Sequence, residues 1–205
     1  MNGIYFDNAA TSFPKAPGVA ENMVNYLTSI GSNINRSAYG SSFEAGHTVF
    51  ETRELICELF NFPKPEYVVF TKNVTESLNV VLKGLLREGD HVIVSSLEHN
   101  AVMRPLSTLQ KKGIEVSAVP CSRNGELNPC LIDVLIKPQT KAVVMTNASN
   151  VSGTILPLEE VGAICKKYNL FFIIDSAQTA GFLNLDFNRL KADALAFTGH
   201  KGLLG

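Results

Sequence analysis

The sequence predicts a three-layer α/β/α fold on a mainly parallel sheet, and three observations carry that reading. Short apolar runs such as Val68-Val69-Phe70, Val92-Ile93-Val94 and Phe171-Phe172-Ile173-Ile174 are continuous rather than alternating. Strands buried on both faces look like that, which means a parallel sheet between helix layers. From Pro65 onward these runs are separated by helix-length stretches, the order of repeated βαβ units. The composition agrees: 45% of the 205 residues are apolar and only 18% are charged. The usual charged share is about 25%, so much of the surface is expected to lie inside sheet layers or against a partner.

The elements follow in chain order. Pro17 to Ile30 reads as a helix, with proline in its first turn and Gly31 as its stop. Residues 32 to 40 are polar and turn-prone, hence a loop. Ser42 to Phe60 reads as a long amphipathic helix: Phe43, Phe50, Ile56, Leu59 and Phe60 fall near one face and Glu51 to Glu54 face water. Tyr67–Thr71 is the first strand expected, followed by a helix from Thr75 to Leu86. His91–Ser95 is the second, and the helix from Ala101 to Lys112 after it is closed by Gly113. Glu115–Val119 is the third, followed by a short helix from Pro129 to Ile136. Lys141–Thr146 is the fourth, with a helix from Leu158 to Tyr168 behind it; Leu170–Ile174 is the fifth and Asp193–Phe197 the sixth.

Charge and targeting narrow the function classes. Eighteen basic against nineteen acidic side chains give a net charge of -1 without a basic run, which argues against nucleic acid as the main partner. No apolar stretch approaches the roughly 20 residues that span a bilayer, so no membrane segment is expected. The first seven residues lack a basic and an apolar signal region, and a cytoplasmic protein is the default. Cys57, Cys121, Cys130 and Cys165 form no CxxC pair, so reduced thiols are expected and no metal site; Cys57 and Cys165 sit in helical patterns and read as small core residues.

In an open parallel sheet, ligands collect beyond the carboxyl ends of the strands. The residues just past each expected strand are therefore informative. They are Thr71 to Ser77, Ser95 to Asn100, Asn147 to Gly153, Asp175 to Gln178, and Thr198 to Lys201. Each has an ordinary alternative. Thr75 could be only a helix N-cap, His99 a cap or core residue, Asn150 a turn residue and Lys201 a surface lysine. Asp175, directly after Phe171 to Ile174, would end a buried strand and need a cationic partner. Taken together, a lysine able to form a Schiff base and an acid able to pair with a pyridinium nitrogen are what pyridoxal phosphate (PLP) requires of a protein. The turn at Thr75 offers a helix end to its phosphate, and His99 could stack on its ring.

On these residues the sequence resembles the class V aminotransferases, above all the cysteine desulfurases and their relatives of PLP fold type I. The resemblance rests on residues 5–11, on Thr71 to Asn79 as a T-x-x-x-T-E-x-x-N motif and on Glu98-His99-Asn100. It rests further on Ser149 to Gly153, on Asp175 to Gln178 as D-x-A-Q, and on Thr198 to Lys201 as T-G-H-K. It implies that Lys201, His99 and Asp175 are catalytic, with Lys201 as the Schiff-base residue and Asp175 opposite the pyridine nitrogen. Gln178 would bond the phenolic oxygen, and Asn150 would contact ring or substrate. Thr75, the Val74 backbone, Thr198 and His200 would hold the phosphate. It also implies a homodimer in full-length form and an amino-acid substrate, L-cysteine or similar.

The resemblance divides the chain into an N-terminal segment (1–14) and an incomplete PLP-binding large domain (15–205), with the last strand of that domain and the small C-terminal domain absent. In the family that strand lies between the sixth and the first. Both neighbouring edges are therefore expected to be unpaired, with apolar side chains near water. None of the four cysteines matches a persulfide-bearing position. A class V aminotransferase or lyase without such a thiol, or a catalytically inactive product, is the alternative reading, whereas a nucleotide-binding Rossmann domain is disfavoured because no G-x-G-x-x-G follows the first strand.

Overall fold

The computed structural model describes residues 3–34 and 39–205; residues 35–38 of the expected 32–40 loop lie outside the described residues. Five parallel strands form one sheet: β1 (His91–Ser95), β2 (Glu115–Val119), β3 (Thr140–Thr146), β4 (Phe171–Asp175) and β5 (Ala194–Ala196). Their order is β2-β1-β3-β4-β5, and every neighbouring pair is parallel. The chain runs from β1 outward to β2 and then crosses back to β3. The seam between β1 and β3 is therefore where the order reverses, the place where such sheets open a crevice.

The continuous apolar runs feed two layers at once, because successive strand residues point to opposite faces. Val92, Val94, Ala142, Val144 and Ile173 meet one helix layer, α3 (Val74–Leu85) and α4 (Asn100–Gln110), through Leu78, Leu82, Val102 and Leu106. Ile93, Val143, Met145, Phe172 and Ile174 face the other. There they meet α5 (Cys130–Leu135), α6 (Leu158–Lys167) and the short α7 (Phe187–Leu190) through Ile132, Val161, Cys165 and Leu190. Each such buried Val, Leu, Ile, Phe or Met side chain contributes about 1.5–3 kcal/mol of burial free energy. Cys57 and Cys165 are buried free thiols, as expected. The two edge strands depart from the buried pattern: only Val119 of β2 and only Ala196 of β5 are buried.

Four expectations need correction. Residues 67–71 are not a strand. A 3-10 turn at Pro65–Tyr67 leads into chain that joins no ladder among the described residues, since none of their strands lies beside it. The first helix is shorter than Pro17 to Ile30. It begins at Val19 behind Gly18, whose positive φ of 87° sets the entry, and its last turn widens into a π-turn, Tyr26–Ile30. The long helix α2 (Gly40–Leu59) forms, but its apolar face buries only at its C-terminal end, where Ile56 and Phe60 reach the core; Phe43 is 68% exposed, and Phe50 and Leu59 are exposed as well. Finally, the cap of α3 is Asn73 rather than Thr75. Its Oδ1 accepts from the Glu76 N–H at 2.9 Å, while Glu76 Oε2 accepts from the Lys72 N–H at 2.7 Å.

The unpaired stretch and β5 face each other across an apolar groove of about 960 Å³, lined by Tyr67, Val69, Phe70, Leu195, Phe197 and Leu203 among others. Val69 is 75% exposed there. The expectation of two open strand edges is met at β5 alone, because residues 67–71 form no strand. Among the described residues, no helix is long and apolar enough to cross a membrane.

One buried polar group makes folding stability depend on pH. His91 is fully buried, its Nδ1 paired with Thr140 Oγ1 at 2.8 Å and its Nε2 with Ser117 Oγ at 2.9 Å. Burial holds its pKa below the ordinary 6.5, with the Lys137 charge adding to the shift. The unfolded chain therefore binds a proton that the folded chain refuses, and stability falls as pH drops through 6.5. The melting temperature is expected to decline from about pH 7 to about pH 5. A His91→Gln variant should show a shallower decline; equal slopes would remove His91 as the cause.

Candidate active site

All nine residues singled out from the sequence line one cavity of about 190 Å³ at the carboxyl ends of the strands. Val74 and Thr75 come from the first turn of α3. Because Asn73 spends its side chain on the third N–H of that turn, the Val74 and Thr75 N–H groups keep no intrahelical partner and stand at the positive helix end. The Thr75 hydroxyl, not needed as a cap, is left free for another role.

His99 combines the two readings left open for it. It is the N-cap of α4, its Nδ1 accepting from the Ala101 N–H at 3.1 Å, and it also lines the cavity. A neutral ring that accepts at Nδ1 carries its proton on Nε2, so the cap fixes the tautomer. Asn150 likewise sits in a turn, 150–153, on the rim of the same cavity. That turn is shaped by Ser149, whose Oγ accepts from the Val151 and Ser152 N–H groups.

Asp175 ends β4 with only 3% of its surface exposed. Its Oδ1 accepts from the Ala177 N–H at 3.0 Å, and among the described residues it forms no ion pair. Burial pushes its carboxyl above the ordinary carboxylate value, opposed first by the Ala177 N–H and then by the neighbouring His99 ring and Lys201 amine. It is a buried acid with a cavity in front of it and no cation against it. Gln178 follows on the next turn, and its Nε2 donates to the Ala9 carbonyl at 3.1 Å, leaving the other amide proton and the carbonyl oxygen uncommitted.

Thr198, His200 and Lys201 lie on the turn after β5. That turn is fixed from two sides. The Gly202 Cα packs on the chain at Ala180 so closely that a Cβ there would stand 2.0 Å from the Ala180 carbonyl oxygen. On the other side the N-terminal segment covers it: the Ser12 N–H donates to the His200 carbonyl at 2.8 Å, Thr11 Oγ1 does so at 3.0 Å, and the Ala16 N–H donates to the Leu204 carbonyl at 2.8 Å. His200 Nδ1 is 3.1 Å from Thr11 Oγ1, and burial, then the Lys201 and Lys15 charges, hold its pKa below the ordinary imidazole value.

Sequence reasoning missed Ala10, Asn73, Ala101, Thr146, Ala148 and Ala177, which complete the lining. Only Asn73 carried a legible signal, the asparagine three residues before Glu76 that marks a helix start. None of the four cysteines lines the cavity, and among the described residues no group of three metal-binding side chains occurs.

Known proteins of the same build place the chain. A probable cysteine desulfurase of Methanothermobacter thermautotrophicus is 34% identical over 203 residues, 98% of this chain and 50% of the relative. The cysteine desulfurase IscS of Vibrio vulnificus is 35% identical over 206 residues, with 97% and 50% covered. Among solved structures, the apo cysteine desulfurase of Thermococcus onnurineus superposes with a TM-score of 0.91 at 35% identity, covering 98% of this chain and 51% of that one. SspA in complex with cysteine gives 0.92 at 28% identity, covering 99% and 58%. The chain thus spans about half the length of the curated relatives it matches. The family described as aminotransferase class-V matches residues 4–205, and the chain belongs to it.

Proposed function

We propose that this chain is the cofactor-holding part of a PLP-dependent enzyme that, in full-length form, releases sulfur from L-cysteine or a similar amino acid. The observation that carries the reading is Asp175, a buried acid lacking a cation at the head of a cavity that also holds Lys201. A protonated pyridine nitrogen would complete it. The other donors fit the same ligand. The Val74 and Thr75 N–H groups, the Thr75 and Thr198 hydroxyls and His200 suit a phosphate. Gln178 suits a phenolic oxygen, His99 suits a ring face, and Asn150 suits ring or substrate. Bound there, PLP withdraws electrons from the substrate α-carbon. The protein's own part is to offer the Lys201 amine, to keep the ring nitrogen protonated through Asp175, and to hold a proton on His99 Nε2.

The homologues' names favour desulfuration, and SspA is described in complex with cysteine. The second reading, a class V aminotransferase or lyase without a persulfide thiol, is favoured by the positions of the four cysteines, all away from the cavity. Burial pushes the Cys165 thiol up to about 12, far from a nucleophilic thiolate. We further propose a homodimer in full-length form, a cytoplasmic setting, and the division into a segment 1–14 and a domain 15–205. The exposed apolar side chains of the first two helices, among them Met23, Leu27, Phe43 and Leu55, support the pairing. The deciding experiment supplies PLP and L-cysteine to the protein with its natural flanking sequence restored. Alanine plus sulfide or persulfide supports desulfuration, whereas a keto acid without sulfur release supports the second reading. No binding of PLP at all would refute both.

A further inference from the structure

Glu98 lies between β1 and His99, and nothing so far uses it. Its carboxyl is buried at the seam where the strand order reverses. The β1–β3 ladder ends at Val94 and Val144, and beyond it the strands part. Across that opening Glu98 Oε1 accepts from Ser95 Oγ at 2.5 Å, on the last residue of β1, and from the Thr146 N–H at 2.8 Å, on the last residue of β3. One oxygen thus replaces the strand carbonyl that Thr146 has lost. The other, Oε2, is buried and has no partner among the described residues.

We propose that Glu98 is a positioning residue that works as the neutral acid, splinting the ends of β1 and β3 beneath His99 and Asp175, and that its ionisation destabilises this seam by burying a charge with no cation beside it. The choice between the two protonation states follows from what each leaves unpaired. Both donors already point at Oε1, so the proton of the neutral form sits on Oε2. An unpaired hydroxyl there costs far less than a buried charge with an unpaired oxygen. The charged group facing it, Asp175 at the end of β4, is also an acid and adds repulsion. From β1 and β3 come only Ser95 and Thr146, which do not titrate, and on its own turn stands His99. Burial, the largest cause, with Asp175 in support, raises the Glu98 carboxyl to about 8, against the hydrogen bonds from Ser95 and Thr146 that favour the anion.

The sign is the reverse of that for His91. Between the ordinary 4.5 and about 8 the folded chain keeps a proton that the unfolded chain has released, so the Glu98 contribution is lost as pH rises through that window. This inference goes beyond the cofactor reading and does not need PLP, so the two can fail separately. The test is a set of melting curves of the unliganded protein at about pH 6 and about pH 9. Wild type should lose several degrees relative to Glu98→Gln, which keeps a neutral acceptor for Ser95 and Thr146. Glu98→Ala should be destabilised at both pH values, with the glutamine variant rescuing the lower one. Parallel wild-type and glutamine profiles would overturn the proposal, as would a glutamine variant as unstable at the lower pH as the alanine one. Should neither variant fold, infrared spectra of wild type labelled in its glutamate carboxyls decide. A protonated-acid band at about pH 6 that fades through about pH 8 supports the proposal, and its absence at the lower pH refutes it.

Discussion

Replacing Lys201 by alanine is expected to abolish covalent capture of PLP completely while leaving the fold almost untouched. After incubation with PLP and borohydride reduction, wild type should carry the cofactor mass on the peptide containing residue 201, and Lys201→Ala should carry none. The chemistry needs a free amine inside the cavity, and Lys201 is the lysine that lines it. Lys15, whose amine lies near the same turn, is engaged with the Thr11 hydroxyl at 3.1 Å and the His200 carbonyl at 3.4 Å. Among the described residues the Lys201 amine itself makes no hydrogen bond or ion pair, so its removal should change stability by no more than about 0.5 kcal/mol. Capture that persists at full yield in the alanine variant would end the assignment of Lys201.

The second large effect is expected one residue later. Gly202→Ala places a methyl group 2.0 Å from the Ala180 carbonyl oxygen, a backbone atom that cannot swing aside. The turn bearing Lys201 must then lift away from the turn bearing Gln178, and overpacking of this kind costs about 1–3 kcal/mol or more. We expect a lower melting temperature and at least a tenfold slower PLP capture, a misplacement penalty of about 1.4 kcal/mol or more. Gly199→Ala is the control, since nothing lies within 4 Å of the Cβ it would add. If both variants behave like wild type, the close approach does not position the lysine.

How much of this was legible in the sequence depends on which force set each feature. Strands buried on both faces declared themselves as unbroken apolar runs, so β1, β3 and β4 stand within a residue or so of expectation. The helices α3, α4 and α6 followed from their apolar spacing in the same way. Residues 67–71 carry as good a strand pattern as β1, yet a ladder needs a neighbour, and pairing is not a local property. The exposed face of α2 is a similar case, where amphipathicity gives a surface to bury without saying what buries it. At the site, the strand-end rule and the family resemblance together gathered nine residues that converge on one cavity. Glu98 escaped because its role depends on Thr146, 48 positions away, across a seam that only the strand order reveals.

The N-terminal cover of the lysine turn has a kinetic consequence. Thr11 and Ser12 bond to His200 across 189 and 188 positions, nearly the whole length of the chain. Contacts of such wide separation form late, after the intervening sheet has collapsed and shortened the search. Thr11 and Ser12 must therefore wait for the His200 turn to form before the cavity closes. A chain caught midway would have its central strands laid down but no finished place for a ligand.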